Sequence, residues 1–369
     1  MKYLVCSDSF KDSLDADFAC KVISRGIKKA DNKSVINMVP LADGGEGTEE
    51  VLNIAKKFKE NTIESINLKN EKIIVKYGYK DNCVILDCSK VIGICFVKKE
   101  DRNLMLVNSI GLGVVIKKLI LQGVTEFIIG LGGSGTVDGG VGMLVGLGAK
   151  LYIGDKEQPV NINTLKNLEK IDLKEVFNIT KDISISIASD VENLYLGKNG
   201  AVNVFARQKG ATDEHMPILE ENLINLHRIF KEYYGIDVNV KKSGSAGGLG
   251  GAFYLIGSKL FSGIDMVIKE TNLEQQIIEN DIVISGEGSV DSQTANGKTI
   301  SGVAKLCKKY NKKLIIVSGQ LSNNIDELYS MGVTSAFSII NKNSSLEETL
   351  KSAEENLEST VYNICKLLS

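Results

Sequence analysis

Four glycine-rich segments of this chain place acidic, basic and hydroxyl side chains close together in sequence. They are residues 43–47, 132–140, 243–251 and 286–291, and the last continues to residue 299. Glycine allows another group to approach the backbone closely. Amide N–H groups can then bind phosphate oxygens, and neighbouring carboxylates can hold a divalent cation. The four segments together predict an enzyme that handles phosphoryl groups.

A shorter polar loop holds Asp8, Ser9 and Lys11 between a predicted strand and a predicted helix. A helix N-terminus attracts anions through its free amides and its dipole, and Lys11 adds a positive charge. Asp43 and Glu46 repeat the arrangement after the next strand. In the alternative interpretation, these side chains only cap helix and turn amides.

The second glycine-rich segment can surround a polyphosphate with the backbone of Gly132 and Gly133 and the hydroxyl of Ser134. It lacks the Gly-Lys-Ser/Thr of a Walker A loop and the spacing of a dinucleotide-binding loop. Asp138, in the same segment, can bind magnesium directly or through water.

Two further charged residues stand at element ends. Asp190 follows an apolar strand, where a carboxylate can act as a general base or a metal ligand, or only as a cap. Lys209 precedes a predicted helix, where it either neutralises phosphate charge or is solvated.

The fourth segment gathers two acids, an amide and an ammonium behind a buried strand: Glu287, Asp291, Gln293 and Lys298. Turn chemistry alone explains this combination poorly. The two histidines of the chain, His215 and His227, both fall in one amphipathic helix. This argues against a Ser-His-Asp triad and a histidine-rich zinc site.

Strands alternate with helices at both ends of the chain, which is typical of parallel sheets covered by helices. Predicted strands cover residues 3–7, 35–39, 63–68, 72–79, 83–86, 126–131, 183–188, 282–285, 314–318 and 335–340. Predicted helices cover residues 15–30, 48–58, 109–121, 141–147, 213–235, 252–260, 300–310, 324–331 and 346–368. The three strands between residues 61 and 96 are short and read as antiparallel.

This order predicts an α/β protein of two domains, since 369 residues exceed one ordinary core. Residues 1–75 and 282–369 would form a discontinuous Rossmann-like domain with a parallel sheet. Residues 76–281 would form an inserted mixed α/β domain, with the active site in the cleft, because ligands favour such clefts and the carboxyl ends of parallel strands.

Composition narrows the partners and the compartment. The formal net charge of −2 argues against a nucleic-acid partner. No apolar span is long enough for a membrane helix, and the N-terminus does not resemble a signal peptide. Seven cysteines, an odd number without zinc-ligand spacing, predict a reducing cytoplasm. The oligomeric state is open and allows a homo-oligomer.

Taken in order, the motifs resemble the bacterial glycerate kinase family, the type without a P-loop. The matching segments are Asp8-Ser-Phe-Lys-Asp-Ser13, Pro40-Leu-Ala-Asp-Gly-Gly-Glu-Gly-Thr48, Gly132-Gly-Ser134 with Asp138-Gly-Gly-Val-Gly-Met-Leu144, Ser189-Asp-Val191 with Asn193, Gln208-Lys-Gly-Ala-Thr212, Ala246-Gly-Gly-Leu-Gly250, and Gly286-Glu-Gly288 with Asp291, Gln293, Thr294, Gly297 and Lys298. They span nearly the whole chain.

The resemblance implies a kinase that uses ATP and Mg²⁺ to phosphorylate glycerate, and it favours the 2-hydroxyl. On this basis Asp190, Lys11, Lys209 and Lys298 are expected to be catalytic, with Asp190 as the base. The acceptor is expected to contact Asp8, Ser9, Asp43, Glu46 and Gln293. The nucleotide is expected to contact Gly132, Gly133, Ser134, Gly247 and Gly248. Magnesium is expected on Asp138, Glu287 or Asp291.

Some positions depart from the family pattern. The family usually has asparagine at Val137, arginine or a similar group at Ser289, Tyr-Gly-Thr-Gly-Glu where this chain has Ile110 to Val114, and Gly-Pro at Ala206-Arg207. Loss of polar groups that contact a substrate weakens its binding strongly. The departures therefore keep two other hypotheses open: a kinase for another small hydroxy acid and a non-catalytic metabolite binder. A phosphatase or mutase that uses the same acids is a third.

Overall fold

The computed structural model of the chain describes residues 1–42, 48–292, 294–295 and 299–368, with the backbone alone at Thr48, Glu50 and Ala55. The strands are β1 (Lys2–Val5), β2 (Val35–Met38), β3 (Lys59–Ile66), β4 (Lys72–Lys80), β5 (Cys83–Asp87), β6 (Glu126–Gly130), β7 (Lys150–Ile153), β8 (Lys156–Gln158), β9 (Lys170–Asp172), β10 (Ser184–Ala188), β11 (Lys259–Phe261), β12 (Ile282–Val290), β13 (Lys313–Leu321) and β14 (Ser335–Ser338).

The α-helices are α1 (Ala16–Ala30), α2 (Thr48–Lys56), α3 (Ser89–Ile92), α4 (Ile110–Leu121), α5 (Val141–Leu147), α6 (Lys174–Thr180), α7 (Ala201–Phe205), α8 (His215–Tyr234), α9 (Ser245–Leu255), α10 (Gly263–Thr271), α11 (Leu273–Glu279), α12 (Thr299–Lys309), α13 (Asp326–Met331), α14 (Leu346–Lys351) and α15 (Ala353–Leu368). They form two compact units, each with its own sheet.

The first unit comprises the described residues between 1 and 43, 50 and 56, and 263 and 369. Its sheet has the order β14-β13-β12-β1-β2, and every pairing is parallel. Counted along the chain, this is the 2-1-3-4-5 order of a doubly wound sheet. The direction of winding reverses between β1 and β12, which is where such sheets bind ligands.

Helix α1 shows why this unit folds as the sequence predicts. Asp15 caps it by accepting a hydrogen bond from the backbone N–H of Phe18 at 2.7 Å. Its apolar positions recur at helical spacing, so that Ala19, Ile23 and Ile27 are all buried. This face packs against the sheet and α15, and it forms the core of the unit.

The second unit comprises residues 57–262 and the described residues between 44 and 49. Its main sheet has the order β11-β10-β6-β5-β4-β3. Strands β5, β6, β10 and β11 are parallel neighbours, while β3, β4 and β5 pair antiparallel. A small antiparallel sheet of order β8-β7-β9 adds to this unit. The parallel strands bring the loops after β6 and β10 to one edge of the sheet.

The α/β class, the parallel sheet of the first unit and the antiparallel strands after residue 61 are confirmed. The helix predicted for residues 252–260 is confirmed only to Leu255, because residues 259–261 form β11. Residues 346–368 form two helices separated by Ser352. The predicted domain limits, at residues 75/76 and 281/282, stay a prediction.

Strand β12 is longer than predicted, and this changes the setting of the fourth glycine-rich segment. Parallel pairing with β13 continues to Val290, so that Glu287 lies in the strand, opposite Ser318. The glycines on either side of Glu287 suggested a loop, but the long parallel partner gives their backbone groups a ladder to join. Glu287 is therefore held by a sheet.

Candidate active site

A cavity of about 550 Å³ opens in the second unit and collects residues that are far apart in sequence. Its lining comes from the loop after β6, the segment after β10, the short 3₁₀ helix of residues 207–209 and the start of α9. The residues that line it are Ile94, Arg102, Leu131, Gly132, Gly133, Ser134, Ser189, Asp190, Val191, Phe205, Gln208, Lys209, Ser245 and Ala246.

Lys209 is the buried cation of this cavity. Only 6% of it is exposed, and its Nζ donates to Ser134 Oγ at 2.7 Å and to Thr136 O at 3.0 Å. Both acceptors are neutral, so the hydrogen bonds hold the ammonium without cancelling its charge. Burial lowers the pKa of Lys209 from 10.5 to about 8, although the charge of Asp138 acts in the opposite direction.

Asp190 follows β10 and reaches the same cavity, half-buried, beside Ser189 and Val191. The parallel pairing of β6 with β10 explains why it lies near the second glycine-rich segment. Ala188 pairs with Gly130, and the two strands end together. The predicted residues Gly132, Gly133, Ser134, Asp190 and Lys209 thus come together around one space.

Asp138 lies behind that loop rather than in the cavity lining. Its carboxylate is fully buried and accepts hydrogen bonds from Ser109 Oγ at 2.7 Å, Ser109 N at 2.8 Å, Gly140 N at 3.0 Å and Gly142 N at 3.3 Å. Burial raises the pKa of Asp138, while these hydrogen bonds act to lower it. Because protein donors surround it, Asp138 organises the loop, and its role as a metal ligand stays a prediction.

The third glycine-rich segment packs closely against the second and is hydrogen-bonded to it. Ala246, Gly247 and Gly248 are consecutive residues in the left-handed region, with φ of 51°, 70° and 94°. A Cβ at Gly247 would lie 2.1 Å from Thr136 O, and Gly247 O accepts a hydrogen bond from Gly139 N at 3.1 Å. Contact between the loops explains these glycines directly. Ser245 and Ala246 line the cavity, whereas Gly247 and Gly248 lie against the neighbouring loop.

In the first unit, the predicted residues gather where the sheet reverses its winding. Asp8 N donates to Gly286 O at 2.9 Å, which sets Asp8 beside the segment that carries Glu287. Asp8 Oδ2 accepts from Thr299 Oγ1 at 2.9 Å, and Asp8 Oδ1 accepts from Ser9 N at 2.6 Å. Asp8 and Glu287 therefore share the carboxyl ends of β1 and β12.

Thr294 links the two acids of the fourth segment. Its Oγ1 donates to Glu287 Oε1 at 3.1 Å and accepts from Asp291 N at 3.1 Å. Lys11 is exposed near the same strand end, where its backbone N lies 3.1 Å from the position of a Cβ at Gly288. The predicted residues Asp43, Glu46, Gln293 and Lys298 lie outside the described residues.

Magnesium has few protein ligands available in the part of the chain that the structure describes. No group of three or more His, Cys, Asp or Glu side chains there could hold a metal ion. Magnesium, however, usually retains waters and binds through one or two carboxylates plus substrate phosphates. Glu287 and Asp291, joined through Thr294 at a strand end, fit that modest requirement.

The departures from the family pattern lie at Ile110, Leu112, Val114, Val137, Arg207 and Ser289. None of them belongs to the lining of the 550 Å³ cavity. Leu112 and Val137 are buried in the core, and Val114 faces a separate surface groove with Ile66 and Ile73. The departures thus lie outside the lining of this cavity, and a kinase for another small hydroxy acid stays an alternative.

Sequence reasoning missed two residues of this region. Arg102 lines the cavity, but it ends a charged run after Lys98-Lys99 that suggests only a solvated surface. Tyr195 is fully buried and donates to Gly139 O at 2.9 Å. Its ring also packs against Gly248 and Gly251 of the third glycine-rich segment. Tyr195 therefore contacts the second and the third segment. A tyrosine shortly after the Asp190 motif was the available signal.

Comparisons with known proteins agree across the whole chain. The glycerate kinase family matches residues 3–369. A glycerate kinase from Bacillus cereus is 36% identical over 99% of this chain and 97% of its own length. The glycerate 2-kinase of Escherichia coli is 34% identical over 100% of this chain and 98% of its own length.

A crystal structure assigned to glycerate kinase 2 of Salmonella typhimurium LT2 is also similar to this chain. It matches with a TM-score of 0.87 at 32% identity, covering 100% of this chain and 98% of its own. Among the described residues, no helix is both long enough and apolar enough to cross a membrane.

Proposed function

This chain belongs to the glycerate kinase family of phosphotransferases, and we propose that it transfers the γ-phosphoryl group of ATP to the 2-hydroxyl of D-glycerate with Mg²⁺. Phosphorylation of glycerate is the activity of the family. We add to it the use of ATP, the use of Mg²⁺ and the choice of the 2-hydroxyl. The name glycerate 2-kinase of the Escherichia coli relative supports the choice of the 2-hydroxyl.

The main support for this proposal is that Asp190, Lys209 and Ser134 line one cavity. Phosphoryl transfer depends mainly on positioning and on neutralising charge. A carboxylate, a buried ammonium and a hydroxyl beside glycine amides are the groups that this chemistry needs. The cavity that they line has a volume of about 550 Å³, which is sufficient for a small acceptor and part of a polyphosphate.

We assign Asp190 the role of general base. The 2-hydroxyl oxygen would attack the γ-phosphorus, its proton would pass to an Asp190 carboxylate oxygen, and the bond from the γ-phosphorus to the β,γ-bridging oxygen would break to release ADP. Lys209 would offset the charge of the transferring group. Ser134 and the amides of Gly132 and Gly133 would bind phosphate oxygens.

The residues at the carboxyl ends of β1 and β12 have the remaining proposed roles. Asp8 and Ser9 would contact the acceptor, Lys11 would offset anionic charge, and Glu287 and Asp291 would hold magnesium. A bound magnesium ion supplies charge neutralisation at phosphate oxygens. Asp43, Glu46, Gln293 and Lys298 keep their predicted roles in acceptor binding and charge neutralisation, and Gly247 and Gly248 their predicted role near the nucleotide.

The test is turnover with ATP, Mg²⁺ and a panel of small hydroxy acids, followed by ADP release. D-glycerate is expected to be the preferred acceptor. The product is identified by proton-coupled ³¹P NMR, since a phosphate on C2 couples to one proton and a phosphate on C3 to two. ADP release with another acid alone would contradict the choice of acceptor. Binding without turnover would indicate a metabolite binder, and phosphate release from 2-phosphoglycerate without ATP would indicate a phosphatase.

We also propose that the enzyme works in a reducing cytoplasm. All seven cysteines of the chain lie among the described residues, none of them forms a disulfide bond there, and six are buried. Buried thiols such as Cys6 and Cys20 behave as small apolar side chains. Seven cysteines without a disulfide are typical of a compartment that keeps cysteines reduced.

A further inference from the structure

Arg102 is a cation of the 550 Å³ cavity that has no role in the assignments above. It caps the C-terminal end of the 3₁₀ helix of residues 99–101, and contacts with residues outside that helix fix its position. A Cβ placed at Gly210 would lie 2.5 Å from Arg102 Cβ, so the two backbones are in close contact. Nη1 of Arg102 also donates to Gln208 O at 3.3 Å. Arg102 is thus attached to the corner of the fold that carries Lys209.

The guanidinium of Arg102 has unused hydrogen-bonding capacity. Its Nε is buried and has no hydrogen-bond partner among the described residues. The ion pairs of the described chain do not include Arg102, whereas nearby Arg207 pairs with Asp213. A guanidinium carries several N–H donors in a rigid plane. A desolvated donor without a partner is costly, so the surroundings of Arg102 favour an anion from outside the chain.

The balance of charge in the cavity points the same way. Among its described lining residues, Lys209 and Arg102 are cations and Asp190 is the acid. Lys209 is bound to neutral oxygens of the glycine-rich loop, where phosphate is expected. Arg102 takes no part in those two hydrogen bonds, and its planar fork matches a carboxylate in two parallel hydrogen bonds.

We propose that Arg102 binds the carboxylate of the acceptor. This inference rests on the proposed function and adds its specificity for 2-hydroxy acids. In such an acid the hydroxyl is on the carbon next to the carboxylate. A carboxylate held by Arg102 therefore keeps the 2-hydroxyl inside the cavity that Asp190 lines. An acceptor without the negative charge loses this anchor.

Binding is measured by calorimetry with D-glycerate and with 2,3-dihydroxypropanamide, in which a neutral amide replaces the carboxylate. Arg102→Gln is expected to weaken D-glycerate binding about 10- to 100-fold, the usual range for a lost charge-assisted hydrogen bond. The same substitution is expected to change binding of the amide by less than about 3-fold. Arg102→Lys keeps the charge and the stem but not the fork, so it is expected to give an intermediate loss.

Steady-state kinetics with ATP and D-glycerate provide the second measurement. KM for D-glycerate is expected to rise in Arg102→Gln with KM for ATP nearly unchanged. Arg207→Gln is the matched control, since Arg207 is exposed and outside the cavity lining. Its constants are expected to equal those of the unmodified protein.

The proposal is overturned if Arg102→Gln raises KM for ATP instead, because the guanidinium then serves phosphate. It is also overturned if binding of the amide and of D-glycerate weakens equally, which indicates a structural role. If Arg102→Gln does not fold, Arg102→Lys replaces it in the test. Equal affinity of Arg102→Lys and the unmodified protein for D-glycerate then also overturns the proposal. Carboxylate binding without ADP release refutes the kinase proposal and leaves that for Arg102 standing.

Discussion

Lys209 Nζ and Ser134 Oγ are 2.7 Å apart, although 75 residues separate them in sequence. The contact joins the 3₁₀ helix before α8 to the loop after β6. It fixes a buried ammonium beside the glycine amides that are proposed to bind phosphate. A charge held in this way needs little rearrangement when the anion arrives, which is the condition for electrostatic catalysis.

The lowered pKa of Lys209 predicts the pH dependence of activity. With a pKa of about 8, Lys209 loses its charge as the pH rises through that value. We therefore expect kcat/KM to fall above pH about 8, because the neutral amine no longer attracts phosphate. Lys209→Met should have low activity and no decline in that range. Lys231→Met, at an exposed site, should keep the decline of the unmodified protein. A pH-independent kcat/KM up to pH 10 in the unmodified protein would refute the role.

The same shift has a consequence for stability. Between pH about 8 and 10.5 the unfolded chain binds a proton at Lys209 that the folded chain has released. The unfolded state then binds more protons, so this group contributes stability that rises with pH across that interval. Urea denaturation of the unmodified protein and of Lys209→Met at several pH values measures it, as a change in their difference in unfolding free energy.

Asp190→Asn tests the proposed base. The amide keeps the size of the carboxylate but cannot accept the proton of the attacking hydroxyl, so kcat should fall at least ~100-fold. Both KM values should change little, since binding groups remain. Asp213→Asn, which removes an exposed charge paired with Arg207, is the control and should retain normal turnover. Turnover of Asp190→Asn within a few-fold of the unmodified protein would reject the role.

Gly247→Ala is expected to be strongly destabilising because of the contact between the two glycine-rich loops. The added Cβ would lie 2.1 Å from Thr136 O, at a φ of 70° that also strains alanine. We expect a loss of about 3 kcal/mol or more in the free energy of unfolding. Gly154→Ala separates the two causes, since φ there is 56° and nothing lies within 4 Å of the added atom.

The Gly154 variant should therefore lose only about 1 kcal/mol from backbone strain. Urea denaturation of both variants gives the comparison. Equal losses in the two variants would mean that the clash of the added Cβ at residue 247 with Thr136 O does not contribute to the destabilisation.

The sequence predicted much of this structure because its signals were local. Apolar strands such as Lys2–Val5 and the helical spacing of apolar residues in Ala16–Ala30 identify their elements without any partner. The strand Ile282–Val290 was predicted too short because its length depends on pairing with β13, which only the fold reveals. Asp190 and Lys209 were predicted from chemistry at element ends. The sequence offered Asp138 as a possible metal ligand, but it could not show that Ser109, 29 residues away, donates to this carboxylate.

Arg102 is a cavity residue that the sequence analysis did not identify. A charged run usually marks a solvated surface, and Lys98 and Lys99 gave no reason to treat Arg102 differently. Its proposed role depends on the packing of Gly210 against it and on a cavity built from several distant segments. Residues of this kind are identified only once distant segments are assembled.

Leu112→Thr tests whether the departures from the family pattern changed the acceptor. The substitution restores a residue that the family usually has at this position. Leu112 is fully buried in the core of the second unit and does not line the cavity. Threonine there brings a hydroxyl into apolar surroundings and leaves unfilled volume, so we expect a loss of about 2–4 kcal/mol in the free energy of unfolding. The ranking of acceptors in the hydroxy-acid panel should not change.

Val114→Glu is the companion variant, since Val114 faces the surface groove and can accept a charge at lower cost. Its stability and its acceptor ranking should both stay close to those of the unmodified protein. A new acceptor preference in either variant would mean that the helix Ile110–Leu121 influences the cavity from behind. In that case specificity would depend on how this helix positions Ser109 and, through it, the Asp138 loop.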